Sequence, residues 1–199
     1  MLILQLYDYI TGYHVQNEQY MIDFCKIFYN LIGLLQNLFG AYIYFFNNSL
    51  FNCKLFAETV LNVTVFDWFL IHDPMIYIHH CIIFALYYVY KNFDINLETY
   101  KSTYLALLGT EMSTIFLCMR NMIQITGCFS QYHTFVSYCF AIVFIYTRVY
   151  LCGKHTLFEL PDGNYVLKSI MYFLLGMNLY WTMKIIKKAS LELGFTQKK

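Results

Sequence analysis

Apolar runs of about twenty residues, each closed by a charge or a turn signal, recur along the chain. Lys26 and Lys54 bracket 27 residues without a charge, among them LIGLLQNLFGAYIYFF. A helix over such a run covers the ~30 Å hydrocarbon layer of a bilayer. Residues 55–71 form a second run, closed by His72-Asp73-Pro74, where proline removes a donor and disfavours helix just before it. The third run is 75–90, MIYIHHCIIFALYYVY, and polar residues from Lys91 to Lys101 separate it from a fourth at 102–122. Gly127 and Ser130-Gln131 mark the next turn; a fifth run follows at 132–152, and Gly153 to Asn164, with Pro161-Asp162-Gly163, reads as a turn cluster. The sixth run, 165–185, runs into a basic tail of Lys184, Lys187, Lys188, Lys198 and Lys199. The pattern predicts an all-α membrane protein of about six transmembrane helices. The second and third runs are short for a span, which calls for a thinned membrane or shielding by neighbours.

Composition agrees. Of 199 residues, 59% are apolar, 21% aromatic and 13% charged, with a mean hydropathy of +0.48. A soluble domain carries about a quarter charged residues, so too few charges exist here to coat a water-facing surface. The net charge of +1 and the lack of a basic face interleaved with aromatics exclude nucleic acid as a partner. Seven cysteines, odd in number and without CxxC spacing, define neither a disulfide framework nor a zinc site. MLILQLYDYI lacks the basic n-region of a cleavable signal peptide. The lysine tail favours cytoplasmic termini, against which stand Lys54, Lys91, Lys101, Lys154 and Lys168 on the opposite side. Asn47-Asn48-Ser49 is a glycosylation sequon in the first loop, whereas Asn62-Val63-Thr64 lies within a span. Richness in Phe, Tyr, Ile, Asn and Lys points to AT-rich coding sequence, as in some protists and large DNA viruses.

Ionisable groups inside a membrane cost several kcal/mol unless paired or facing a polar cavity, so they are the functional candidates. Here they are Asp67, His79, His80, Glu111, Arg120 and Arg148. Asp67 precedes the Pro74 break and the histidines follow it, which places carboxylate and imidazoles at one depth on antiparallel neighbours. A carboxylate on one imidazole nitrogen fixes the tautomer and leaves the other as base or nucleophile. The same pair also serves as structural glue between helices, and metal binding is a third use, although helical ligands prefer i,i+3 or i,i+4 spacing. Glu111 and Arg120 lie about 13.5 Å apart on opposite faces of one helix, so Glu111 needs another partner or a proton. Arg120 snorkels to the interface or holds an anionic head group. Arg148 and Trp181 are either interface anchors or cavity residues, and Ser113 and Thr114 hydrogen-bond across helices or to their own backbone.

In order and spacing, Phe66-Asp67-Trp68, Ile78-His79-His80, Glu111-Met112-Ser113-Thr114-Ile115-Phe116-Leu117 with Arg120, and Asn178-Leu179-Tyr180-Trp181 resemble the TLC (TRAM/Lag1/CLN8) domain family. The resemblance runs from about residue 25 to 188 and is closest to the TLCD branch. It implies a bundle enclosing a lipid-sized cavity, flanked by an N-terminal segment 1–24 and a basic tail 189–199. In ceramide synthases of this family the matching histidines serve acyl transfer from acyl-CoA to a sphingoid base. By that likeness His79, His80 and Asp67 are the expected catalytic residues, with one histidine activating the acceptor or taking the acyl group and Asp67 orienting it. Glu111, Ser113, Arg120, Arg148, Asn178 and Trp181 are the expected substrate-binding residues. The sequence after His80, CIIFALYYVYKNF, lacks the longer synthase motif, and TLCD members are linked to phospholipid acyl composition without being uniformly enzymes.

Three functions follow. The first is lipid handling, with acyl transfer to a sphingoid base or lysophospholipid and fatty acyl-CoA as co-substrate; no other cofactor and no metal is expected. The second is a lipid sensor, chaperone or trafficking factor without catalysis. The third, a di-iron desaturase, needs about eight histidine ligands in HxxxH and HxxHH boxes, against six histidines in the whole chain. Membrane lipids are the expected partners, and the expected location is an endomembrane such as the endoplasmic reticulum, or a host membrane if the source is viral.

Overall fold

Long apolar stretches without proline leave backbone donors and acceptors only each other as partners, and helix is the outcome. The computed structural model describes residues 18–46, 49, 52, 55–61, 74–92, 97–160 and 164–192, and every regular element among them is helical. These are α1 (Glu18–Phe46), the stretch 55–61 (α2), α3 (Pro74–Asn92), α4 (Leu97–Thr126), α5 (Ser130–Glu159) and α6 (Tyr165–Glu192). Among the described residues two helices are long and apolar enough to cross a membrane, Lys101–Thr126 and Ser130–Glu159, while Pro74–Val89 is apolar but shorter. The second expected run is described only over 55–61, and Asp67 lies outside the described residues.

Helices outlast the apolar runs that predicted them. Pro74 opens α3 at its first position, where the missing N–H is no loss. Glu98 sits in the first turn of α4, favoured by the helix dipole, so α4 begins before the apolar stretch. It closes at Gly127, whose φ of 68° is open to glycine and whose N–H donates to Ile123 O at 2.9 Å. The expected turn cluster from Gly153 needs correcting: α5 continues as helix to Glu159 and turns extended only at Leu160. Gly153 is a packing site, since a Cβ there would stand 3.6 Å from Leu175 Cδ1 on α6. Within α5 the α-helix His133–Phe144 gives way to π-helix at Ile145–Leu151 and again at His155–Glu159.

The bundle is antiparallel. α1 meets α4 through Asn30 with Asn121 and Gly33 with Cys118; α4 meets α5 through Arg120 with Ser137 and Thr103 with His155; α3 meets α6 through His79 with Trp181. The inward face of α1 reads Asn30, Gly33, Asn37, Gly40, Ile43, a spacing of three and four, and it is buried; Phe28, Leu31, Leu35, Leu38, Phe45 and Phe46 point out and are exposed. The apolar core (Ile43, Phe56, Leu86, Leu108, Cys152, Met171, Leu174) therefore draws on the C-terminal halves of α1, α3 and α5 and the N-terminal halves of α4 and α6. It fills one end of the bundle and leaves the other to polar groups.

Candidate functional site

The other end holds a chamber of about 430 Å³ lined mainly by α1, α3, α4, α5 and α6, with Val60 of α2, within the size range of small-molecule sites. Its polar centre is built around Arg148. The π-helix at Ile145–Leu151 carries this residue, and the guanidinium is buried. Such π-turns recur at functional sites because they shift a side chain's register relative to its helix. Nε donates to Thr110 O at 3.1 Å and to Ser113 Oγ at 3.0 Å; Nη2 donates to Thr114 Oγ1 at 3.1 Å and lies 3.6 Å from Glu111 Oε1. Thr114 Oγ1 in turn donates to Glu111 Oε2 at 3.0 Å. The face of Phe144 lies 5.2 Å from the guanidinium carbon. Glu111 thus has its partner on the neighbouring helix, and Arg148 is a cavity residue and not an interface anchor. Ser113 and Thr114 also bridge helices: Ser113 donates to Thr110 O at 3.0 Å while accepting from Arg148.

His79 and His80 line the same chamber, as does Trp181. The ring of His79 meets Trp181 edge-on, with centroids 5.4 Å apart, and stands 5.9 Å from that of His80. Among the described residues His79 Nδ1 is buried without a hydrogen-bond partner. On α1, Asn37 Nδ2 donates to Gly33 O at 2.7 Å while its Oδ1 is buried with no donor among the described residues. The chamber therefore assembles His79, His80, Glu111, Ser113, Arg148 and Trp181. Arg120 and Asn178 stand outside its lining. Arg120 Nε donates to Ser137 Oγ at 3.1 Å, and Asn178 is wholly buried, with its amide beside the Cys152 thiol. The expected contact of Asp67 with a histidine lies outside the described residues.

Beyond the chamber a narrower apolar pocket of about 50 Å³ shares Val60, Ile83 and Glu111 with it. Among the described residues no three His, Cys, Asp or Glu side chains are gathered as metal ligands.

A second polar cluster went unpredicted. Thr103 Oγ1 and His155 Nε2 are 3.0 Å apart, His155 Nδ1 and Glu159 Oε2 are 2.9 Å apart, and Lys154 Nζ lies 3.1 Å from Glu159 Oε1. The order hydroxyl, imidazole, carboxylate is that of a nucleophilic triad. Thr103 is 0% and His155 1% exposed, so no substrate reaches the hydroxyl, and the chain serves to clamp the second π-segment to α4. Its sequence signal, His155 and Glu159 at i,i+4, is invisible once Gly153 is read as a turn.

Comparison of the chain with family models, with curated proteins and with solved structures gives no match.

Proposed function

We propose that this chain is a multi-pass membrane protein of TLC type that handles lipids in the chamber between α1, α3, α4, α5 and α6. The carrying observation is the inverted polarity around that chamber. In water, apolar side chains go mostly inside and polar ones mostly outside. Here Asn30, Asn37, His80, Ser113, Arg148 and Asn178 are buried, while Phe46, Phe158 and Tyr165 are 79%, 80% and 78% exposed. Hydrocarbon is the solvent in which that arrangement is favourable, with small and polar residues at the helix contacts. A chamber with a polar centre and apolar walls of Phe140, Leu117 and Ile185 suits an amphiphile. As an enzyme in an endomembrane, the protein uses His79 or His80 to activate an acceptor hydroxyl or amine, or to take the acyl group from acyl-CoA.

The test is a lipid-product comparison in proteoliposomes given acyl-CoA with sphingoid bases and lysophospholipids. Wild type is expected to form acylated product, and His79→Ala or His80→Ala to lose it. A wild type no better than an empty vesicle removes the enzymatic form.

A further inference from the structure

Two asparagines stand two turns apart on the inward face of α1 and begin alike. Asn30 Nδ2 donates to Lys26 O and Asn37 Nδ2 to Gly33 O, each at 2.7 Å and each one helical turn back. Only the nitrogen of a carboxamide donates to a carbonyl, so these bonds fix both amides and leave each Oδ1 as an acceptor. From there the two differ. Asn30 Oδ1 accepts from Asn121 Nδ2 on α4 at 3.2 Å. Asn37 Oδ1 is buried with no donor among the described residues, on a residue that lines the chamber and is 5% exposed.

The register of the two helices gives the reason. α1 and α4 are antiparallel, with Asn30 against Asn121 and Gly33 against Cys118, and the next step along sets Asn37 against Thr114. A threonine hydroxyl has one proton to give. Thr114 Oγ1 gives it to Glu111 Oε2 at 3.0 Å and accepts from Arg148 Nη2 at 3.1 Å. The polar centre therefore takes the donor that would have closed Asn37, and a buried acceptor left open is costly. Beside it Gln36 also lines the chamber, and its amide, which holds both donors and an acceptor, makes no hydrogen bond among the described residues.

The group that fits this pair donates to Asn37 Oδ1 and accepts from Gln36 Nε2. A hydroxyl does both, whereas an ester or ether oxygen only accepts and an ammonium only donates. We infer that the chamber binds a single-chain amphiphile through a hydroxyl head group seated on Asn37 Oδ1 and Gln36 Nε2, with its chain along Leu117, Phe140 and Ile185. This rests on the lipid-handling reading and names the head-group chemistry that the α1 wall recognises.

The experiment is competition against radiolabelled 1-hexadecanol on the purified full chain in phosphatidylcholine nanodiscs at about pH 7. Long-chain competitors are compared at equal mole fraction in the bilayer: unlabelled hexadecanol, methyl hexadecyl ether, and hexadecylamine, which is protonated at that pH. Ethanol is the short control. Hexadecanol is expected to compete about two- to tenfold better than the ether, the worth of one neutral hydrogen bond, and better than the ammonium, and ethanol to fail. Two variants separate the two bonds. Asn37→Leu should weaken hexadecanol to the level of the ether and leave the ether unchanged. Its melting temperature should hold or rise, because an open buried acceptor is gone, whereas an asparagine that only joined helices would lower it on removal. Gln36→Leu should weaken alcohol and ether alike, since both oxygens accept, and keep their ratio.

Equal competition by hexadecanol and the ether in the wild type overturns the hydroxyl site and leaves the lipid-handling reading standing. An unchanged preference in Asn37→Leu, or a fall in its melting temperature, does the same. Hexadecylamine outcompeting hexadecanol overturns it in favour of a cationic head, and ethanol as effective as hexadecanol overturns the amphiphile in favour of a small alcohol. If labelled hexadecanol, ether and amine all fail to bind saturably, both readings fall together.

Discussion

The two ends of the bundle solve the same packing problem in opposite ways. At the end holding Ile43, Phe56, Leu86, Leu108 and Met171, apolar side chains interlock around the core, with one polar cluster at Thr103 and His155. At the end holding Asn37, His79, Glu111 and Arg148, the helices stay apart around about 430 Å³ of space, and hydrogen bonds do the joining. One helix pair serves both ends: α1 and α4 approach at Gly40 and Leu108 in the core and meet through Asn30 and Asn121 beside the chamber. The first end is held by shape and the second by charge, so truncation and neutralisation should damage them differently.

The largest effect belongs to the charged end. Arg148→Met leaves Glu111 without its cation and should cost about 3–5 kcal/mol, the usual loss when one member of a buried pair is removed. The double variant Arg148→Met with Glu111→Met should recover most of it, because replacing both members by apolar groups is close to neutral. Thermal unfolding of the three variants in one detergent measures this, and a double variant as unstable as the single would mean that the hydrogen bonds to Thr110, Ser113 and Thr114 carry the stability.

Identical chemistry at the two ends sharpens the contrast. Leu108→Ala, in the packed core and 1% exposed, should lose about 2–5 kcal/mol through the cavity it opens. Leu117→Ala, on the same helix but lining the chamber, should lose about 1 kcal/mol, since space already exists on one side of it. Similar losses at both positions would show that the chamber is packed in solution.

Gly40 tests how closely α1 and α2 approach. A Cβ there would stand 2.6 Å from Phe56 Cε2 and 3.4 Å from Leu108 Cδ2. The ring must move, and Gly40→Ala should cost about 1–3 kcal/mol as overpacking despite the better helix propensity of alanine. Gly176→Ala, with nothing within 4 Å, is the matched control and should be neutral or stabilising by up to about 1 kcal/mol.

Much of this architecture was legible in the residues and some was not. Helix positions followed from apolar runs and charge boundaries, but helix ends did not: Glu98 and the polar residues after Arg120 extend α4 at little cost. Gly153 misled because glycine marks turns in water-soluble chains yet marks close contacts between packed helices. The chemistry of Glu111 and Arg148 was visible as two costly charges, and their pairing was not, because they come from different helices and meet only through a π-turn that no periodicity announces. Arg120 Nε meets Ser137 across α4 and α5, a contact that its place near a helix end did not announce.

The smallest effect probes the polar cluster at the packed end. Thr103→Val keeps the shape and removes the hydroxyl that sits between Thr99 O, at 2.8 Å, and His155 Nε2, at 3.0 Å. The Thr99 carbonyl retains its helical bond, whereas His155 Nε2 is left buried with no partner from that side, so the loss should be about 1 kcal/mol, near the low end for an unmade bond. It should also be local. His155 anchors the second π-segment, so amide exchange should quicken over 155–160 and stay unchanged around Arg148, where the first π-segment has its own ties to Thr110 and Ser113. Faster exchange reaching Arg148, with a change in ligand binding, would instead make α5 one mechanical unit and the two ends a single coupled site.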